Sequence, residues 1–547
     1  MGLSSTARND MAAALRRASL ASPALTNATG AIKAGSLAEA EAILTEHLRQ
    51  SPNDAPAIAK LGEIAISRGR RDYAIVMLRR ALTIAPDLEE ARLLLIDVLT
   101  KLERSAEALR EIEQLSPGRH ERFNILTLRA ALLGKLGMHE DEIETYRTVL
   151  KTNPDNAHLW MSMGHALKTV GQTDEAIHAY RRAIKLKPSL GESWWSLANL
   201  KTMRFDDRDI SAMRKALRGK LTNSDALHFH FALGKAFEDR NDAARSFEHY
   251  AAGNALRMKN LGPGDKTARG WVDRAIATLT PELFAAHSGK GCPAPDPIFV
   301  VGLQRSGSTL VEQILASHPL VEGTSELLAM SQLFDELEHA GQAAGGDRFT
   351  RLARLDGSAI RKIGETYIAR TRPFRLTDRP YFVDKLPANW MNVGLIRLAL
   401  PNAKIIDARR HPMACGFSNF KQHFATGVSF AYSLDSIGKF YANYVRMMDH
   451  LNRVQPGAIH RVVNERLIDD PEAQVRALLA YCGLPFDPAC LQFHRNVRAV
   501  RSASAGQVRR PINRDGVDYW KRYEPHLGPL KAALGPALEN WDRDAAR

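Results

Sequence analysis

The sequence predicts two architectures in one chain: an α-solenoid, then an α/β three-layer domain with a central parallel sheet. Three observations predict this. Prolines recur in a fixed register through the N-terminal part, a strand–loop–helix runs through PIFVVGLQRSGSTL at 297–310, and apolar β-type runs alternate with helical patterns after it.

The repeat comes first along the chain. Pro52 and Pro86 lie 34 residues apart, Pro86 and Pro154 twice that, and Pro154 and Pro188 again 34. Gly62 and Gly164 share a slot, as do Ala40, Ala74 and Ala176, and as do Trp160 and Trp194. Small residues let two helices approach closely, and proline, which lacks an N–H, stops the second helix. Paired helices on a 34-residue period with a closing proline make the tetratricopeptide pattern. Pro117 falls three residues early, so the unit there should be out of phase, and a degenerate further unit is expected at Phe229–Asn254. Tyr146, Trp160, Tyr180, Trp194 and Trp195 read as packing between helices rather than as ligand contacts. Stacked repeats offer a concave surface that suits a peptide or a partner protein.

The expected boundaries are an N-terminal extension at 1–30, the solenoid at 31–257, a linker at 258–296 and the α/β domain at 297–541. Turn-rich LGPG at 261–264 and SGKGCPAPDP at 288–297 punctuate the linker. Expected strands are Ile298–Val301, Tyr381–Asp384, Lys404–Asp407 and His460–Asn464. Expected helices are Ser308–Ser317, Ser325–Leu337, Asn389–Ala399, Pro412–Phe424, Ser433–Val454 and Pro471–Cys482. In a parallel sheet of this kind, ligands bind beyond the carboxyl ends of the strands.

Composition narrows the function. The chain is 45% hydrophobic and 25% charged, which argues against disorder. Four cysteines show no metal-ligand spacing and suggest a reducing compartment. No apolar run reaches membrane-spanning length and the N-terminal segment lacks a signal-peptide core, so the expectation is a cytoplasmic protein with no membrane partner. Met1-Gly2 and Thr6 match the myristoylation pattern only by letter. A net charge of +14 points to anionic partners, and basic residues thicken over Val497–Arg514. Zinc-finger spacing and an aromatic RNA-binding signature are both missing, so nucleic acid is not expected.

The loop after the first strand carries the chemistry. Gly302 and Gly307 bracket four residues and Ser308-Thr309 follow. This is the phosphate-cradling, P-loop-like spacing G-x-x-x-x-G-K-[ST], with serine where the lysine belongs. Amides at a helix start and the positive end of its dipole favour an anion, and Arg305 adds a fixed cation. Without the lysine, ATP hydrolysis is not the first expectation.

From Pro297 to about Trp541 the chain resembles the sulfotransferase family, in particular its tyrosylprotein sulfotransferase branch, and its repeats resemble those fused to this domain in bacterial members. GLQRSGSTL resembles the family's phosphosulfate loop, with Gln304 and Ser308 as departures. The resemblance implies a donor, 3′-phosphoadenosine 5′-phosphosulfate (PAPS), a hydroxyl acceptor (a peptide tyrosine, a glycan or a small molecule) and no metal. It implies that Arg305, Ser306, Gly307, Ser308 and Thr309 hold the sulfate-bearing end of the donor. Arg410 and Ser418 of IIDARRHPMACGFSNF match the pair that binds its 3′-phosphate. Glu326, 21 residues after Arg305, matches the branch's catalytic base, and Lys385 of YFVDKLPANW matches the lysine that steadies the moving sulfuryl group. Ser504 matches a serine that closes over the phosphosulfate, and Lys521 a late donor-binding lysine, for which Arg509 or Arg510 could substitute.

Local readings compete. Thr324-Ser325-Glu326 also reads as a helix N-cap with a first-turn glutamate. His318 is a rival base, although His-Pro at a helix end reads as a turn, and Glu465 and Asp470 read as structural. Two other functions stay open: a repeat scaffold with a non-catalytic nucleotide-binding domain, and a P-loop phosphoryl-transfer enzyme.

Overall fold

The computed structural model describes residues 22–200, 202–261, 268–324, 326–343, 346–424, 428–496, 498, 500, 502 and 506–543. It forms two compact units, Met1–Ala166 and Leu167–Arg547.

The first unit is built of antiparallel helix pairs, such as Ala55–Ser67 with Arg71–Ile84 and Phe123–Lys135 with His139–Thr152. The register residues do what their chemistry dictates. A Cβ on Gly62 would lie 2.8 Å from Leu78 Cγ, so only glycine lets those helices cross there. Each register proline stands two residues past a helix end: Pro52 after Gln50, Pro86 after Ile84, Pro154 after Thr152, and Pro188 of the second unit after Leu186. Trp160 donates its indole N–H to the Pro154 carbonyl at 2.7 Å, and in the second unit Trp194 does the same to Pro188 at 3.1 Å.

A further register emerges from the backbone. Gly35, Gly69, Glu103, Gly137 and Gly171 all have positive φ and close the turn between paired helices. Glycine adopts this left-handed conformation freely; Glu103 does so at φ 57°. The phase slip at Pro117 has a local cause. The preceding helix, Ser105–Glu113, is only nine residues long, and Pro117 opens the one-turn helix Pro117–His120 instead of closing one.

The second unit begins with helices and ends with the sheet. Its hairpin of Asn223–Asp239 and Ala243–Leu261 packs tightly, since a Cβ on Gly234 would come within 2.6 Å of the Tyr250 ring. The segment read as a linker contains helices Ala268–Thr278 and Pro281–Ala286. Trp271 of the first packs edge-on against Trp390, and His450 contacts the Leu279 carbonyl.

Five parallel strands follow: β1 Pro297–Gly302, β2 Val321–Gly323, β3 Tyr381–Asp384, β4 Lys404–Arg409 and β5 Ile459–Val463. Their order is β2-β3-β1-β4-β5. On one face Ile298, Val300 and Ile406 pack with Ile314, Leu315, Leu478 and Leu479 of helices Ser308–Ala316 and Pro471–Cys482. On the other, Phe299 meets Tyr367 of helix Gly357–Thr371, and Asp407 accepts from Tyr444 of helix Leu434–Val454. That is the expected three-layer arrangement.

Several boundaries differ from expectation. The helix expected at Ser325–Leu337 spans Ala329–Ala343, and Thr324 donates its hydroxyl to the Val383 carbonyl at 2.6 Å. The helix expected at Asn389–Ala399 starts as a 3₁₀ segment, Pro387–Asn392, and becomes α-helical only over Val393–Ala399. The helix from Pro412 ends at Phe420.

Candidate active site

Because β1 leads toward one side of the sheet and β4 toward the other, their carboxyl ends open a crevice at the switch in strand order. The loop after β1 enters it by a tight path. A Cβ on Gly302 would sit 2.3 Å from the Ala408 carbonyl of β4. Gly307 caps the following helix at φ 98°, and a Cβ there would meet Asn464 Oδ1 at 2.7 Å. Arg305 itself is left-handed, at φ 69°.

The residues expected at the two ends of the donor meet here. Arg410 Nη1 donates to the Arg305 carbonyl at 3.2 Å, and Arg305 Nε donates to Ser418 Oγ at 3.0 Å. Arg410 also donates to the Gly516 carbonyl. Burial first, then the neighbouring Arg410 charge, lowers the Arg305 pKa to about 10. Two guanidiniums placed so close suit an anion between or beside them. Ser306 Oγ is buried without a hydrogen-bond partner, and so is Arg410 Nε. Thr309 Oγ1 donates to Ser502 Oγ at 3.3 Å, and buried Ser308 begins the helix. A glycine cradle, unmet polar atoms and converging cations fit a phosphorylated nucleotide.

Arg305, Gly307, Thr309, Arg410 and Ser418 line a cavity of about 330 Å³. Its far wall comes from Gln507, Arg510, Tyr519 and Trp520 of the C-terminal segment and from Trp195, Asn199, Lys235, Glu238 and Tyr250 of the helices. Trp195 is therefore a cavity residue as well as a packing residue, tilted against Phe231 at 5.4 Å.

Glu326 and Lys385 form a second cluster. Lys385 is 3% exposed and its ammonium donates to Glu326, with Glu312 at 4.0 Å. Glu312 is held in turn by Arg498 at 2.6 Å, which also donates to the Thr324 carbonyl. Glu326 lies in the irregular stretch before Ala329, outside the helix, and its side chain is 45% exposed. The capping alternative thus has no helix start to cap. Next to Lys385, burial raises the Asp384 pKa to about 7, although the Tyr367 hydroxyl donates to it at 2.8 Å.

The remaining expected residues fall elsewhere. Lys521 turns to Asp518 at 2.9 Å and stays exposed, while Tyr519 and Trp520 of the same 3₁₀ turn line the cavity. Arg510 lines the cavity, whereas Arg509 donates to the Thr169 carbonyl. Ser504 lies outside the described residues. His318 bridges the Leu320 amide and the Pro485 carbonyl, as a turn residue would. Asp470 caps a helix through the Ala473 amide. Glu465 accepts from the His411 amide at 3.1 Å. Cys415 is buried behind the loop, and burial pushes its thiol up to about 12, which leaves it inert at neutral pH. Among the described residues, no group of three or more His, Cys, Asp or Glu is placed to hold a metal. None of their helices is long and apolar enough to cross a membrane.

Several cavity residues escaped the sequence reading, among them Lys421, Glu238 and Gln507. Lys421 lies three residues past Ser418, just beyond the end of the same helix, a signal that was available. Glu238 and Gln507 lie far from the loop in sequence and carry no motif.

Comparison with known proteins agrees with this geometry. Residues 297–488 match the model of the sulfotransferase family, and residues 65–132 and 157–190 match models of the tetratricopeptide repeat. The chain carries a sulfotransferase-family domain behind tetratricopeptide repeats. An uncharacterized protein of Aquifex aeolicus is 28% identical over 519 residues, covering 91% of this chain and 67% of that protein. Protein-tyrosine sulfotransferase A of Caenorhabditis elegans is 23% identical over 246 residues, 44% of this chain and 65% of its own length. Nodulation protein NoeE of Sinorhizobium fredii is 25% identical, over 41% of this chain and 59% of its own length. The chain thus spans about two thirds or less of these relatives. The solved structure of MamA AMB-1 aligns with a TM-score of 0.28 and 19% identity over 30% of this chain and 90% of that one, too slight a likeness to carry an argument.

Proposed function

We propose that this chain is a sulfotransferase that draws on PAPS and modifies a hydroxyl acceptor. The observation that carries the reading is the convergence of Arg305, Arg410 and Ser418 at the β1–β4 crevice, where a donor with phosphate at both ends would be gripped. When bound, PAPS supplies an activated sulfuryl group. The loop amides, Ser306 and Thr309 bind its phosphosulfate end, while Arg410 and Ser418 select the 3′-phosphate. Arg305 and Lys385 offset negative charge on the bridging oxygen as it departs, a contribution of several kcal/mol in preorganised sites. Glu326, kept in place by Lys385, accepts the acceptor's hydroxyl proton, a role worth roughly 10²–10⁴ in rate.

A peptide tyrosine is the acceptor we favour, supported by the likeness to a protein named protein-tyrosine sulfotransferase A. The repeats suit the presentation of such a peptide. The test is ³⁵S transfer from labelled PAPS onto a panel of tyrosine peptides, glycans and small hydroxyl compounds, alongside thermal stabilisation by 3′,5′-adenosine bisphosphate and by ATP with magnesium. Transfer and a preference for the bisphosphate are expected. Stabilisation by ATP and magnesium alone, with no transfer, would overturn the reading.

A further inference from the structure

One wall of the donor cavity comes from helices upstream of the family-matched segment, and it holds a buried charge cluster. Glu238 is 8% exposed. It accepts from Lys421 Nζ at 3.0 Å and from the Tyr250 hydroxyl at 2.9 Å, with Lys235 Nζ at 3.9 Å. The Lys421 ammonium also stands over the Tyr519 ring, 4.4 Å from its centroid. A carboxylate on one side and an aromatic face on the other leave this cation little freedom. Lys421, Lys235 and Glu238 all line the cavity that Arg305, Arg410 and Ser418 enter.

The hairpin is bolted to the α/β layers around this point. Asn254 donates to the Phe420 carbonyl at 2.8 Å, and the Tyr523 hydroxyl donates to Ser246 Oγ at 3.1 Å. Phe247 stacks on Phe420 and on His526, at 5.4 and 4.5 Å. A half-buried ammonium is costly unless paired, and this one is paired at the rim of a cationic cavity.

We propose that the hairpin Asn223–Leu261 is a working wall of the donor cavity, in which Glu238 is a positioning residue that presents the Lys421 ammonium to the anionic groups of the nucleotide. This deepens the donor reading above and rests on it. The groups facing Lys421 are Glu238 and Lys235 on the first helix of the hairpin, Tyr519 on the C-terminal segment and Arg305 on the loop, while Tyr250 on the second helix faces Glu238. Burial lowers the Lys421 pKa, Glu238 opposes that, and Lys235 and Arg305 add to the lowering. Without Glu238, Lys421 loses its proton at a lower pH.

The test is calorimetric titration of the full chain with 3′,5′-adenosine bisphosphate between about pH 6.5 and 9. Lys421→Met should weaken binding about tenfold or more at every pH, the loss of one charge-assisted contact. Glu238→Gln should bind nearly as the wild type at the acid end and lose affinity as pH rises, at a lower pH than the wild type does. A purely structural role for Glu238 would give a loss without that pH shift. Should a single variant misfold, the charge-balanced double variant Glu238→Gln/Lys421→Met should fold and show the Lys421→Met loss. Wild-type affinity in Lys421→Met or in the double variant, or a Glu238→Gln profile parallel to the wild type, overturns the proposal while leaving the donor reading intact. If the wild type itself ignores the bisphosphate, the donor reading fails and takes this proposal with it.

Discussion

The guanidinium of Arg410 holds the carbonyl of Arg305 at 3.2 Å, so the residue just past β4 braces the loop that follows β1. Arg305 is left-handed, which costs a non-glycine residue roughly 1–2 kcal/mol. The bond from Arg410 and those from Arg305 to Ser418 and Gln507 brace it there. One arginine thus shapes the loop and also offers charge to the ligand.

Arg410→Ala should therefore impair two things together. Binding of 3′,5′-adenosine bisphosphate should weaken by about 10- to 100-fold, as for loss of a charged hydrogen bond. Binding of 5′-AMP, which lacks the 3′-phosphate, should weaken less. Calorimetry with both nucleotides measures the difference, and an equal loss for both would assign Arg410 to loop shape alone.

Gly307→Ala should damage the loop without touching charge. Its φ of 98° disfavours any side chain, and the new methyl would press on Asn464 Oδ1 at 2.7 Å. The expected cost is about 1–3 kcal/mol, seen as a lower melting temperature and as weakened nucleotide binding.

Glu326→Gln should separate chemistry from binding. Turnover should fall by about 10²–10⁴, while bisphosphate affinity stays close to that of the wild type, since Glu326 is absent from the nucleotide cavity. Unchanged turnover would remove Glu326 as the base.

Asp384 predicts a pH signature. The folded protein keeps its proton up to about pH 7, whereas the unfolded chain releases it near the ordinary value of 3.8. Between those values the folded state binds more protons, so this group lowers stability as pH rises, and the loss levels off above about pH 7. Asp384→Asn keeps an acceptor for Tyr367 and removes the charge. Its melting temperature should match the wild type near pH 4 and exceed it increasingly up to pH 7; a constant difference would contradict the raised pKa.

Glu103 stands in a slot that glycine fills at 35, 69, 137 and 171. Glu103→Gly should relieve left-handed strain and raise stability by up to about 1 kcal/mol after the entropy of glycine is subtracted. Denaturant unfolding followed on the full chain would show it.

Local chemistry was readable from the chain before any fold was known. The Gly302–Thr309 loop and the proline register each declare themselves within a few residues or by a period, whereas Arg410 and Ser418 stood out only through the family resemblance. Strand β2 does not, because it is three residues long and owes its existence to pairing with β3. Helix Gly357–Thr371 has an Asp356 cap, yet two glycines obscure it, one of them placed where a Cβ would strike the Ala399 carbonyl at 2.3 Å. Glu238 joins the cavity only through an ion pair to Lys421, 183 residues away, and no local pattern encodes that. Lys521 pairs with Asp518 instead of lining the cavity, for the opposite reason. The family resemblance gave its neighbourhood, but a 3₁₀ turn decided which side chains face inward.

The seam where Phe247, Asn254 and Ser246 meet Phe420, Tyr523 and His526 has a practical corollary. A shortened chain starting at Pro297, where the family likeness starts, would lay bare this greasy surface and strand the Phe420 carbonyl and the Tyr523 hydroxyl. Such a fragment should clump rather than stay dispersed, and a cut that keeps Trp195 and Asn199 of the cavity wall is the safer one.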